Sequence, residues 1–228
     1  MRRTLCLIAA LTLSAPAIAE SPAAPAPQAA AEAPEAALGA LMEALHQTYK
    51  DVTAVQATFT QSTSSPAFGD GPAQQGTLTI SRPRMMRVEI TGDNPSQFIS
   101  DGETLWVYSP ANSQVIITPD LSEQSDGLSD LIESLSALQE RFEVTGLPAE
   151  PGQHAVSLAP RDGATAQFKE LRLGLDAELR LTSLELVDAF DGVTRMDFQD
   201  FDLAPAVAPG TFSFEAPEGT TVIRSDQM

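Results

Sequence analysis

Apolar residues first recur with a helical period and then switch to every second position. Leu38, Leu41, Met42, Leu45 and Tyr49 fall at i, i+3, i+4, i+7 and i+11, which predicts an amphipathic helix over 35–50. In VQATFTQ (55–61), Val55, Ala57 and Phe59 alternate with Gln56, Thr58 and Thr60. GTLTISRP (76–83) sets Leu78 and Ile80 against Thr77 and Thr79. RMMRVEI (84–90) puts Met86, Val88 and Ile90 on one face, with Met85, Arg87 and Glu89 on the other. Such alternation predicts strands with one buried face.

Short strands are expected near 97–100, 104–109 and 113–118, then near 141–147, 153–159, 167–175, 178–188 and 193–202, with a last one at 211–215. Asp191-Gly192 is a hairpin-type turn signal. A second amphipathic helix interrupts the strands: Leu128, Leu131, Ile132, Leu135 and Leu138 form its apolar stripe, and a polar stretch, 120–127, precedes it. About ten or eleven strands with two helices predict a mainly β protein built on one large antiparallel sheet, which curls at that size. The helices are then the natural cover for its apolar concave face. Residues 104–108 and 179–187 are apolar on both parities, so both sheet faces should be partly covered there.

The N-terminus carries a different pattern. Arg2 and Arg3, an apolar run from Thr4 to Ala15, and Ala17-Ile18-Ala19 form a secretory signal over 1–19. Pro/Ala-rich residues 20–35 read as a disordered lead-in, and 36–228 as one domain. Cys6, the single cysteine, lies in the signal, so no disulfide, cysteine metal site or lipidated cysteine is expected in a mature periplasmic product. The chain has 13 Lys+Arg against 31 Asp+Glu, a net charge of −18, and loss of Arg2 and Arg3 would make it more acidic. That balance disfavours nucleic acid and anionic lipid surfaces as partners.

Catalytic chemistry finds no foothold. His46 and His154 stand apart from any serine-plus-carboxylate pattern, and no G-x-S-x-G, H-E-x-x-H or phosphate-loop motif occurs. DLSEQSDG (120–127) lacks the ligand spacing of a calcium loop. No enzyme, metal or cofactor is expected. Arg82 is the one polar oddity, since it shares the parity of Leu78 and Ile80 at the end of an apolar strand face. Either its head snorkels to water, or its guanidinium donates to the C-terminal carbonyls of a covering helix.

VQATFTQ (55–61), GTLTISRPRMMRVEI (76–90), SDGETLWVYSPANSQVIITP (100–119) and FSFEAPEGTTVI (212–223) together resemble the outer-membrane lipoprotein carrier family, LolA. The run from Ser100 to Gln114 is the most specific piece, with Arg82-Pro83 next, whereas 120–170 departs from the family pattern. The resemblance implies a single unclosed, strongly curved antiparallel β-barrel with a helical lid over an apolar cavity. It implies a monomeric periplasmic carrier that receives acylated lipoproteins from an inner-membrane ABC transporter of the Lol type and delivers them to an outer-membrane lipoprotein receptor. Arg82 matches the family arginine that bonds lid backbone, which favours a lid latch over snorkelling. The acyl-chain cavity is expected to be lined by Phe59, Leu78, Ile80, Met86, Val88, Ile90, Leu128, Leu131, Ile132 and Leu135. Met86 and Val88 stand where the family often has aromatics. The rival reading is a periplasmic lipid-responsive sensor on the same fold. In SDGETLWVYSP (100–110), Trp106 and Tyr108 share one face, and Trp106 is expected to be mainly structural.

Overall fold

The computed structural model describes residues 29–119, 135, 138–161 and 168–227. The expected signal, the polar stretch 120–127, and Leu128, Leu131 and Ile132 lie outside the described residues.

Helix α1 spans Ala29–Tyr49. It starts six residues before the expected boundary, so 29–35, read as lead-in, is helical. Ala29, Ala30 and Ala31 are strong helix formers, yet they add no apolar period by which a sequence reading could detect them. The strands are β1 (Ala54–Ser65), β2 (Gly69–Asp70), β3 (Gln74–Ser81), β4 (Met85–Thr91), β5 (Ser96–Asp101), β6 (Leu105–Ser109) and β7 (Gln114–Thr118). After a single helical turn, Leu138–Arg141, come β8 (Phe142–Leu147), β9 (His154–Pro160), β10 (Phe168–Leu175), β11 (Leu181–Asp188), β12 (Val193–Asp202) and β13 (Thr221–Arg224).

They form one 13-stranded sheet in the order β13-β7-β6-β5-β4-β3-β1-β12-β11-β10-β9-β8, with β2 paired to β1. The end strands β13 and β8 do not meet, so the sheet is unclosed. All pairings are antiparallel except β13 with β7. The central β1–β12 pairing joins the two halves and shifts register between Gln56 and Thr58. Further shifts lie between Phe168 and Glu170 and between Gly174 and Leu175. Each such irregularity bends its strand, which helps so wide a sheet curl.

Two expectations about the C-terminus need correction. Residues 211–215 are not a strand: Phe212 and Phe214 alternate as a strand would, but the segment crosses the outer face of the sheet. Phe214 packs there against Trp106 and Tyr108, with ring centroids 6.3 and 5.5 Å apart. The Arg87 guanidinium donates to the Thr211 carbonyl at 3.1 Å. The final strand is β13, only four residues long, which is too short for a period of two to stand out. Ile99 and Val115, which pair with Trp106 and Tyr108 on that outer face, are fully buried. Sheet residues Leu105 to Tyr108 are half-buried on both faces, as their apolar parity requires.

Candidate acyl-binding face and its helical cover

The concave face is built from rows of cross-strand neighbours. Ala57, Leu78, Val88, Phe98, Val107 and Ile116 lie opposite one another across β1, β3, β4, β5, β6 and β7. The adjacent row runs Val55, Ile80, Met86, Ser100, Leu105. Because side chains alternate along each strand, the two rows share one face. Of the residues expected to line a cavity, Phe59, Leu78, Ile80 and Val88 are buried, and Met86 and Ile90 are partly buried against the same core. Leu135 joins them at 1% exposure.

α1 covers this face through the stripe read from the sequence. Leu45 and Tyr49 are fully buried, Met42 is nearly so, and Leu38 and Leu41 pack at the margin. His46 lies on the exposed side of α1 and His154 on β9. Two polar contacts fasten the C-terminal end of α1. The Tyr49 hydroxyl donates to the Leu179 carbonyl at 2.9 Å, tying the helix to the β10–β11 turn. Burial pushes the phenol well above its ordinary pKa, so it stays protonated as a donor. The second contact comes from Arg82, whose guanidinium donates to the Lys50 carbonyl at 3.4 Å, one residue past the helix. A cation at this end also suits the helix dipole.

The turn carrying Arg82 is held by the motif SDG. Arg82 N–H donates to Thr53 O at 2.8 Å, which fixes the strand end beside the α1–β1 connection. Ser100, buried to 2% exposure, donates its hydroxyl to Arg84 O at 3.0 Å and accepts from Gly102 N–H at 3.1 Å. Gly102 has φ +98°, and a Cβ there would press on the Pro83 carbonyl, so glycine is needed for both conformation and space. Asp101 Oδ1 closes the turn by accepting from Glu103 and Thr104 N–H at 2.9 and 2.8 Å. The 100–104 turn thus braces the 82–84 turn, and nothing in the sequence pattern of Ser100 signalled this.

Sequence reasoning also missed the far half of the concave face. Val156, Leu158, Leu171, Leu173, Leu184, Met196 and Phe198 belong to the same buried cluster. Their alternation was visible, but parity alone could not say which face of 179–187 turned inward. Phe198 lies opposite Phe59 across the β1–β12 seam and stacks edge-on with Phe201, 5.7 Å between centroids.

In shape the protein is an open half-barrel whose apolar inner face is covered by a helix anchored at one end. The outer membrane lipoprotein carrier protein LolA family matches residues 50–215. The chain is 34% identical over 186 residues to an outer-membrane lipoprotein carrier protein of Halorhodospira halophila, covering 81% of this chain and 86% of the relative. It is 33% identical over 182 residues to one of Alkalilimnicola ehrlichii, covering 79% and 82%. Among solved structures, an uncharacterized conserved protein of Thermus thermophilus superposes with a TM-score of 0.51 at 12% identity, over 82% of this chain and 99% of that one, a likeness of fold. The chain belongs to the LolA family of outer membrane lipoprotein carrier proteins.

Proposed function

We propose that this protein is a periplasmic carrier that holds the acyl chains of lipoproteins and moves them from an inner-membrane ABC transporter to an outer-membrane receptor. The supporting observation is the pairing of a continuous apolar concave face with a helical cover whose C-terminal end is fastened by Tyr49 and Arg82. In the covered state Phe59, Leu78, Ile80 and Val88 are already buried. An acyl chain therefore enters only if the cover moves, and the cost of that movement sets the net affinity.

The magnitudes suit a carrier. Burying one CH₂ gains about 0.8 kcal/mol, so a sixteen-carbon chain gains on the order of 10 kcal/mol. Left uncorrected, that would hold cargo too firmly to deliver. The helix must give up its own contacts to make room, which lowers the net value toward reversible binding. Arg82 acts as a latch in this scheme, and no bond is made or broken in the cargo.

The test is incubation with inner-membrane vesicles that contain newly made lipoproteins. A carrier releases them into a soluble one-to-one complex and yields them to outer-membrane vesicles. Binding without release marks a sensor, and cleaved cargo marks an enzyme.

A further inference from the structure

Among the described residues, two phenylalanines stand almost wholly outside the core. Phe68 is 93% exposed and Phe190 is 86% exposed. Each sits at the tip of a hairpin, Phe68 between β1 and β2 and Phe190 between β11 and β12. The hairpins are neighbours, because β1 pairs with β12 out to Ser64 opposite Val193. Both rings therefore project from one rim of the sheet, at the opposite end of β1 from Arg82.

The tips are held in shape. Asp188 Oδ1 accepts from Phe190 N–H at 2.7 Å and from Gly192 N–H at 2.8 Å, and Asp191 adopts φ +63°. A Cβ at Gly192 would collide with the Asp188 carboxylate. In the other hairpin, Phe68 N–H donates to Ser65 O at 3.3 Å, Gly71 N–H to Thr63 O at 2.8 Å, and Gly69 has φ +74°. A turn ordered in this way presents its ring without a further ordering cost on binding. Between the hairpins runs a groove of about 280 Å³, lined by residues that include Ser64, Phe68, Asp70, Gly71, Asp188 and Thr194.

Charge identifies the occupant. Asp70 lies in the hairpin that carries Phe68, and Asp188 and Asp191 in the one that carries Phe190, with Asp191 paired to Lys169 at 2.8 Å. Loops that anchor in bilayers combine apolar residues with Lys and Arg, which anionic headgroups attract, and carboxylates here would be repelled. A protein surface with apolar sockets and a basic side chain between them satisfies both rings and the acidic groove.

We propose that Phe68 and Phe190 form a two-pronged docking tip for an envelope membrane protein whose contact surface is basic around apolar sockets. The proposal takes from the carrier reading only that the protein visits membranes through protein partners. Docking on the hairpin tips leaves the latch end of the sheet free, so partner binding and opening of the cover occupy different places on the molecule.

The test measures binding of the full chain to inner- and outer-membrane vesicles, and to protein-free liposomes of phosphatidylethanolamine and phosphatidylglycerol. The wild type binds one or both kinds of membrane vesicle, loses that binding after the vesicles are shaved with protease, and ignores the liposomes. Phe68→Ser with Phe190→Ser weakens vesicle binding about tenfold or more, Phe68→Trp retains it, and Asp70→Asn or added salt weakens it by a smaller factor. Both rings are exposed, so an unchanged thermal melt verifies that the double variant is folded. Undiminished binding by that variant, equal binding to liposomes, no vesicle binding by the wild type, or self-association through the tips would each overturn the proposal. Lipoprotein release, scored in the same samples, judges the carrier reading separately: loss of binding in the variant stands whether or not the wild type releases cargo.

Discussion

Arg82 and Lys50 meet where the end of β3 touches the chain leaving α1, guanidinium to carbonyl, at 3.4 Å. The contact joins the strand face that would receive cargo to the helix that covers it. It is also a contact that opening of that helix would break.

Replacing Arg82 by Leu should therefore shift the cover toward its open state. A hydrogen bond from a charged donor contributes on the order of 1 kcal/mol net at a partly exposed site, so acyl affinity should rise about fivefold. Tighter holding should slow delivery. The check is transfer of bound lipoprotein to outer-membrane vesicles: Arg82→Leu should accumulate as the loaded complex, and normal transfer would remove Arg82 from the latch role.

Tyr49→Phe isolates the other fastening. It deletes the donor to Leu179 O while keeping the ring, and leaves a buried carbonyl without that partner. The expected cost is about 1–3 kcal/mol, read as a lower midpoint in urea with an unchanged slope. Leu45→Ala, which empties a fully buried position in the same stripe, should cost about 2–5 kcal/mol.

Gly76 and Phe59 should behave as a coupled pair. They lie opposite each other on β3 and β1, and the Phe59 ring covers the glycine so closely that any Cβ would strike it and the Glu89 carbonyl. Gly76→Val should destabilise the fold by several kcal/mol, about the size of other overpacking or strain effects. Adding Phe59→Ala should recover part of the ring clash but not the clash with the Glu89 carbonyl. Strict additivity in this double-mutant cycle would show that the two residues do not touch.

Acid should weaken a ladder on the outer face. Arg172 bridges Glu170 and Glu185 at 2.9 and 2.7 Å, and Arg195 reaches Asp197 at 2.7 Å. The Arg172 hydrogen bond, reinforced by Ser157, holds the Glu170 carboxyl below the usual glutamate range. Its folded pKa is thus lower than its unfolded one. The stabilisation is present above the ordinary glutamate pKa of about 4.3 and is lost as pH falls through the lower folded value. Glu170→Gln should flatten the acid limb of a stability–pH curve, and salt should blunt the wild-type effect because the pair is exposed.

Trp106 supplies an optical test of the outer-face layer, since the chain has a single tryptophan. Phe214→Ala should shift its emission to the red and cost about 0.5–1.5 kcal/mol for the lost ring contacts alone. Unchanged emission would mean that the 211–215 segment does not lie against β6.

The inner face and the stripe of α1 were legible in the sequence because burial on one side imposes a period, and period survives in a single chain. Val55, Leu78, Ile80 and Val88 carry that signal, as do Leu45 and Tyr49. Contacts made across sequence distance left no such trace. Tyr49 to Leu179, Ser100 to Arg84 and Phe214 to Trp106 each join elements by one polar or aromatic contact. Phe212 and Phe214 misled because alternation records which side of a segment is buried, not whether that segment has sheet partners. Arg82 stood out only as an arginine on an apolar parity, and resemblance to the LolA family, rather than pattern, gave it a lid-latch role. Phe68 and Phe190 gave no warning, since an apolar residue beside a glycine turn reads the same whether it folds inward or points at solvent.

The claim that the concave face holds acyl chains can be met directly by photo-crosslinking a lipopeptide whose acyl chain bears a diazirine, with the labelled residues mapped by mass spectrometry. Labels should fall on Phe59, Leu78, Ile80 and Val88, and should increase in Arg82→Leu. Labels confined to the outer face around Trp106 and Phe214, or spread evenly over the surface, would contradict it.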